Sequence, residues 1–195
     1  LGAGIGGIVA AETLRKLLPP EHRVVVVERE RNHVFAPSLL WHMTGDNDAA
    51  AFTRPLSALS SKGIELVAGE LARIDPATLS VDVGGKTLIG DAMVVALGAD
   101  YAPEAIPGLA EAGHNLYTLA GAQGIHAALE AFEGGRIVVL TAAPAYKCPA
   151  APYEAAMLVD AWCKKRSLRK ETSVAVYAAE PAPMLVTGPV VGGQV

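Results

Sequence analysis

Two short stretches of this chain carry residue types that could do chemistry. The first is Leu1-Gly2-Ala3-Gly4-Ile5-Gly6-Gly7, followed by the helix-forming run Ile8 to Leu14. It fits a GxGxxG loop with glycines at 2, 4 and 7, and Gly6 adds a fourth. Such a loop takes a pyrophosphate because each glycine removes an obstacle: Gly2 permits the tight turn out of a strand, Gly4 lets backbone approach the phosphates, and Gly7 lets the new helix pack close to the sheet. The helix start then offers free N–H groups and the positive end of its dipole. The second stretch is Lys147-Cys148-Pro149, just ahead of a run that reads as a helix. A helix start and a neighbouring lysine favour thiolate over thiol, and thiolate is the nucleophile. An inert cysteine fits the same three residues, and Lys147 reads first as a solvated side chain.

The elements around these stretches decide what they can bind. Val24-Val25-Val26-Val27-Glu28 is a β-branched run that reads as a buried parallel strand. Its last residue is an acid about 20 positions past the loop, where a carboxylate accepts hydrogen bonds from a ribose diol. Pro19-Pro20 ends the intervening helix, so the order is turn, helix, strand, acid. Arg29, Glu30 and Arg31 follow, so a solvated charge at a strand end is the competing reading of Glu28. Phe35 to Trp41 is apolar for a loop and broken by Pro37; it lies against the protein's own core or against a flavin ring.

Further on, Phe52 to Ser61 reads as a short helix with Leu56 and Leu59 inward. Ile64 to Gly69 and Glu70 to Asp75 are short strand candidates, and Leu79 to Val83 alternates apolar and polar. Gly84-Gly85 supplies a two-residue hairpin turn and Lys86 to Ile89 returns, which gives an antiparallel meander. Asp91 to Ala99 is expected to restore a continuous buried strand ending in a small-residue turn. The prolines and Gly108 between Tyr101 and Leu109 read as a linker. A helix is expected over Ala120 to Glu133, a strand over Arg136 to Leu140, and a helix from Pro152 to Arg166. That last helix would put Cys163 about 17 Å along its axis from Pro152, too far for Cys148 and Cys163 to form a disulfide.

Bulk composition narrows the classes. With 195 residues the chain can bury a real core, as one large domain or one and a half smaller ones. Apolar residues make up 51% and mean hydropathy is +0.33, yet no window reaches 18 uninterrupted apolar residues, so nothing is expected to span a membrane. A net charge of −4 and no basic stripe argue against a nucleic-acid partner. No residue spacing suggests a metal site. The chain opens inside a motif whose first strand ordinarily comes before it, so Leu1 is not expected to be a native N-terminus, and a targeting signal is not observable.

The order of a nucleotide-binding βαβ, a meander and a strand ending in a glycine turn resembles the flavoprotein disulfide reductase superfamily, which has two dinucleotide-binding domains. Val95-Ala96-Leu97-Gly98-Ala99 resembles its ATG segment, with Leu97 where threonine is usual. The resemblance implies an α/β fold: a Rossmann-like FAD-binding domain over residues 1–100 with an inserted β-meander, a linker over 101–110, and the first part of a second Rossmann-like domain over 111–195. It implies FAD at Gly2, Gly4, Gly6, Gly7, Glu28, Arg29, Gly98 and Ala99, with a backbone contact to adenine near Leu71. After the 136–140 strand the superfamily carries a second glycine loop for NAD(P)H. Here Thr141 to Glu154 holds no glycine and three prolines, so the backbone cannot approach a pyrophosphate and NAD(P)H is not the expected donor.

The replacement string Lys147-Cys148-Pro149-Ala150-Ala151-Pro152-Tyr153-Glu154 closely resembles a segment of sulfide:quinone oxidoreductases and of the related flavoprotein subunit of flavocytochrome c sulfide dehydrogenases. Phe35 to Trp41, with Pro37 and Ser38, resembles that family's loop near the flavin, and Pro181 to Met184 with Thr187 to Pro189 resembles its following strand and turn. The resemblance covers the whole chain and corresponds to the first half of a family member. It implies that Cys148 is a redox cysteine beside FAD: hydrosulfide, or another small sulfur compound, opens a disulfide or persulfide, and electrons pass through FAD to quinone. Tyr117 stands where many quinone-reducing members carry another cysteine, which leans toward a c-type cytochrome as acceptor in place of quinone. The same superfamily also includes type II NADH dehydrogenases, which the missing glycine loop opposes, and a redox-inactive flavoprotein acting as a binding module would fit the same fold. The resemblance leaves peripheral membrane, cytoplasmic and periplasmic locations open, with membrane contact through a C-terminal half, and leaves a homo-oligomer open. The 195-residue segment alone is expected to be inactive and to hold FAD weakly or not at all.

Overall fold

The computed structural model describes residues 1–144 and 146–194, so Ala145 of the cysteine loop lies outside the description. In chain order the elements begin α1 (Ile5–Leu17), β1 (Val25–Glu28), β2 (Asn32–Val34), α2 (Leu39–Met43), α3 (Ala49–Phe52) and β3 (Thr53–Pro55). Then come β4 (Glu65–Ala68), β5 (Leu71–Asp75), β6 (Ser80–Val83), β7 (Lys86–Ile89), α4 (Leu109–Ala112) and α5 (Leu119–Glu130). The last are β8 (Gly135–Thr141), α6 (Ala151–Lys165), β9 (Thr172–Ala178) and α7 (Gly188–Gly192). They form a mixed α/β fold in two units: residues 1–35 with 52–101, and residues 36–51 with 102–194.

In the first unit α1 lies on a parallel pair, β1 with β4, in register from Val25↔Glu65 to Glu28↔Ala68. Ala3, Ala11, Val24, Val26, Leu56, Leu59 and Ile64 form the core under the helix. Leu18 has left the helix as its C-cap and Pro19 cannot continue it. The Arg15 guanidinium gathers the carbonyls of Leu18, Pro19 and His22, which closes the helix end on the loop that leads to β1. A second core of Val27, Val81 and Val83 seats the meander β5-β6-β7. Its hairpin turn uses Gly84 and Gly85 at φ +54° and +78°, the pair of positive values that a type I′ turn requires.

Three expectations for this unit need correction. The helix expected over 52–61 is instead the end of α3, the short strand β3 and a 3-10 turn over Leu56–Lys62. Pro55 keeps Arg54 extended, where it pairs with His33 across from β2. Leu56 and Leu59 are buried as expected, because a three-residue spacing also fits a 3-10 turn. The run Ile64 to Gly69 joins β1 in parallel and is no part of the meander. Asp91 to Ala99 is neither a regular strand nor buried: Val94, Val95 and Leu97 are about half exposed. Beside this segment lies the single residue Leu1, whose amino group donates to Val94 O at 2.7 Å and whose carbonyl accepts from Ala96 N at 2.8 Å. These two bonds fix the backbone at Val94 and Ala96 without making a ladder.

The second unit is built on β8 and β9, parallel from Gly135↔Thr172 to Thr141↔Ala178, with α6 packed on both. Ala155, Val159, Trp162 and Cys163 recur at helical spacing on the buried face of α6. Helix α5 starts at an N-cap, Thr118, whose hydroxyl accepts from Gly121 N at 3.0 Å, and it stops at Glu130 rather than Glu133. The apolar stretch after Phe35 belongs here: Leu39, Leu40 and Met43 are buried, with α2 against α5 and α6, while Phe35 and Trp41 remain exposed. The strand that follows α6 is Thr172–Ala178, not Pro181 to Met184, where prolines supply no N–H to a ladder. Among the described residues no helix is long and apolar enough to cross a membrane.

Candidate functional site: a glycine loop and an exposed cysteine

The glycine loop is held by both neighbours of its backbone. Gly2 N donates to Val27 O at 2.9 Å, Ala3 N donates to Glu28 Oε2 at 2.7 Å, and His33 Nδ1 donates to Ala3 O at 3.1 Å. Three glycines then do three different jobs. Gly2 has φ +90°, and a Cβ there would stand 2.5 Å from Ala96 O. A Cβ on Gly7 would stand 1.9 Å from Gly2 O, so α1 can leave the loop at this angle only without one. A Cβ on Gly4 would meet no described atom within 4 Å, and on Gly6 only the Ala96 methyl at 3.8 Å. Gly4 is the N-cap of α1 and no side chain caps the helix, whose first turn carries no acid. That leaves an uncapped helix start facing open space beside Gly4, the arrangement that receives an anion.

Beyond the loop, a cavity of about 280 Å³ is lined by Gly2, Val27, Glu28, Arg29, Glu30, Gly69, Glu70, Leu71, Leu97, Gly98 and Asp100. Of the residues singled out from sequence, Gly2, Glu28, Arg29, Leu71 and Gly98 meet here; Gly4, Gly6 and Gly7 lie at the start of α1, and Ala99 follows Gly98. Glu30, Glu70 and Asp100 were not legible as lining residues, because no motif spacing connects them to the loop. Four acids against Arg29 make this a place for a neutral diol and a base, not for a phosphate. Glu28 Oε1 accepts from Arg29 N at 2.8 Å and Glu30 N at 3.0 Å, whereas Oε2 carries the bond from Ala3 N. A carboxylate has about four acceptor positions, so Oε2 retains one for a ribose hydroxyl. Arg29 pairs with Asp100 at 3.1 Å, Glu30 at 3.6 Å and Glu70 at 3.9 Å, and at 50% exposure it stiffens the rim rather than the core. Register slips between Leu71 and Arg73, which takes Ala72 out of the ladder at the cavity edge.

Cys148 lies in the second unit, as do Pro37 and Ser38. Pro37 sits in a one-turn 3-10 helix ahead of α2, and Ser38 is buried. Cys148 is exposed and free, in the loop between β8 and α6, with φ +50°. A residue with a side chain pays about 1–2 kcal/mol to be left-handed, and such strain concentrates at functional sites. Its carbonyl accepts from Ala151 N at 3.0 Å, which turns the chain into α6. Tyr117 Oη lies 3.5 Å from the same carbonyl, at the edge of hydrogen bonding. Cys163 is fully buried on α6 and also free, which fits a structural thiol.

Residues 1–142 match the family model described as pyridine nucleotide-disulphide oxidoreductase. The chain belongs to that family. Over 189 residues it is 27% identical to the sulfide-quinone reductase of Aquifex aeolicus, covering 93% of this chain and 42% of the relative. The crystal structure of the sulfide:quinone oxidoreductase from the same bacterium superposes with a TM-score of 0.85 at 26% identity, again over 93% of this chain and 42% of the other. An NAD-dependent persulfide reductase from A. fulgidus shares the fold, with a TM-score of 0.69 at 19% identity over 91% of this chain and 39% of the other. The chain thus spans about two fifths of the length of the relatives it matches. Membership makes it an oxidoreductase-family chain with a Rossmann-like fold, as the sequence led one to expect.

Proposed function

We propose that this chain carries the adenosine-diphosphate end of an FAD site and the redox cysteine of a sulfide-oxidising flavoprotein that passes electrons to quinone. The observation that carries the reading is Cys148: exposed, left-handed and at the loop where a second nucleotide site would need glycines. The likeness to the Aquifex aeolicus enzyme, whose name states sulfide and quinone, supports it.

FAD fits the residues of the first unit. The Gly2 to Gly7 loop and the start of α1 would hold its pyrophosphate, Glu28 Oε2 a ribose hydroxyl, and Leu71, Gly98 and Ala99 the adenine side. Pro37 and Ser38 belong to the segment that resembles the family's flavin loop. When bound, FAD supplies a two-electron acceptor. The chain's own chemistry is sulfur exchange. Hydrosulfide attacks a sulfur bonded to Cys148 Sγ, a new S–S bond forms as the old one breaks, and Cys148 leaves as thiolate. Its partner is a sulfur other than Cys163, which is buried in α6. Tyr117, against the carbonyl of Cys148 where many quinone-reducing relatives have a cysteine, favours a second reading with a c-type cytochrome as acceptor.

Two results test this. Anaerobic addition of sulfide to the whole protein should reduce its flavin, and NADH should not; reduction by NADH alone would overturn the proposal. Gly4→Ala should weaken FAD binding by about tenfold or more while costing unfolding about 1 kcal/mol or less, the loss of a favourable N-cap residue, because Gly4 faces open space with an ordinary φ of −69°. Flavin titration beside thermal unfolding separates the two effects.

A further inference from the structure

The second unit repeats the order of the first, a loop, a helix, a strand of a parallel pair and then an acid, with β8 ahead of its loop. Glu180 stands two residues past β9, and Glu28 ends β1. In a dinucleotide-binding unit that place belongs to the acid that holds the ribose. The two acids are partnered differently. Glu28 is bound by backbone amides. Glu180 Oε1 accepts the hydroxyl of Tyr146 at 2.5 Å and that of Tyr153 at 2.8 Å. Where Glu28 holds backbone, Glu180 thus holds two side chains of its own unit.

What it holds is the cysteine loop. Tyr146 lies two residues before Cys148, and Tyr153 lies in the first turn of α6. One oxygen therefore ties the loop and the helix to the end of β9, with Cys148 between them. The tyrosine hydroxyls keep the Glu180 carboxyl below the usual carboxylate range, and burial together with Glu180 raises both phenols, so the bridge is a charge-assisted one at neutral pH.

We propose that Tyr146 and Glu180 are positioning residues for Cys148: the Tyr146–Glu180 hydrogen bond holds the cysteine loop in its left-handed turn. This rests on the reading of Cys148 as the reacting sulfur.

The test uses four variants of the whole protein: Tyr146→Phe, Tyr153→Phe, Glu180→Gln and Glu180→Ala. Amide hydrogen exchange of residues 146–150 and the sulfide dependence of flavin reduction are measured on each. Tyr146→Phe and Glu180→Ala should raise loop exchange about tenfold, the weaker end of what a hydrogen bond to a charged group contributes. They should lower kcat by a similar factor at unchanged KM. Glu180→Gln keeps an oxygen that accepts both hydroxyls and should restore most of the loss. Tyr153→Phe leaves the Tyr146 bond in place and should leave the loop near wild type, although Tyr153 is only 8% exposed. Unchanged exchange in Tyr146→Phe and Glu180→Ala would overturn the proposal, as would equal loosening in Tyr153→Phe, which marks a general loss of stability. Raised exchange in a protein whose wild-type flavin sulfide does not reduce would leave the bridge standing and remove the sulfide chemistry.

Discussion

Replacing Gly7 by alanine is expected to destabilise the chain by about 2–4 kcal/mol, the largest stability effect in the loop. The added methyl would fall 1.9 Å from Gly2 O, and backbone on both sides leaves nothing flexible to yield. Alanine's better helix propensity offsets only about 1 kcal/mol of that. Relief requires α1 to tilt away from β1, which would loosen the contacts of Ala3 and Ala11 with Val24 and Val26. Urea or thermal unfolding followed by far-UV circular dichroism measures the cost. Gly6→Ala, one position earlier and with only the Ala96 methyl at 3.8 Å, should be neutral or slightly stabilising. If both variants unfold alike, the close packing of α1 on Gly2 is not what the loop requires.

The largest effect on activity is expected at Cys148. Cys148→Ser should lower sulfide-dependent flavin reduction by roughly two orders of magnitude or more, because an alcohol cannot take the place of a thiolate in S–S exchange. The substitution is close to isosteric at an exposed position, so unfolding should hardly move. Cys163→Ser is expected to do the reverse. It places a hydroxyl in a fully buried site of α6, destabilising by about 1–3 kcal/mol, and leaves the reduction rate alone. Stopped-flow reduction and unfolding on the same two preparations check both halves.

Much of the first unit was legible because local rules and global packing agree there. The glycine spacing, the β-branched run ending at Glu28 and the Gly84-Gly85 hairpin each require a particular backbone, and each is found. The motif spacing assigned the close helix packing to Gly7 and not to Gly6, and a Cβ on Gly7 would stand 1.9 Å from Gly2 O where one on Gly6 meets only the Ala96 methyl. Asp91 to Ala99 misled because an apolar run reads as buried wherever it occurs; burial depends on neighbours, and among the described residues Ala96 meets the glycine loop while Val94, Val95 and Leu97 stay about half exposed. The run after Phe35 read as a segment against the protein's own core or a flavin ring, and Leu39, Leu40 and Met43 are buried in the core, with α2 against α5 and α6. No local pattern encodes which helix a short apolar segment will meet. Glu180 was invisible for a related reason: its partners are 34 and 27 residues away, and only the pairing of β8 with β9 brings them together.

The nucleotide loop rests on steric requirements that any bound dinucleotide of this type would share. The assignment of sulfide rests on one cysteine in one strained loop. Anaerobic mixing of sulfide with wild-type protein and with Cys148→Ser, following the oxidised flavin band, therefore tests the central claim most directly. The wild type should bleach and the serine variant should stay yellow over the same interval. Equal bleaching of both would contradict the role given to Cys148.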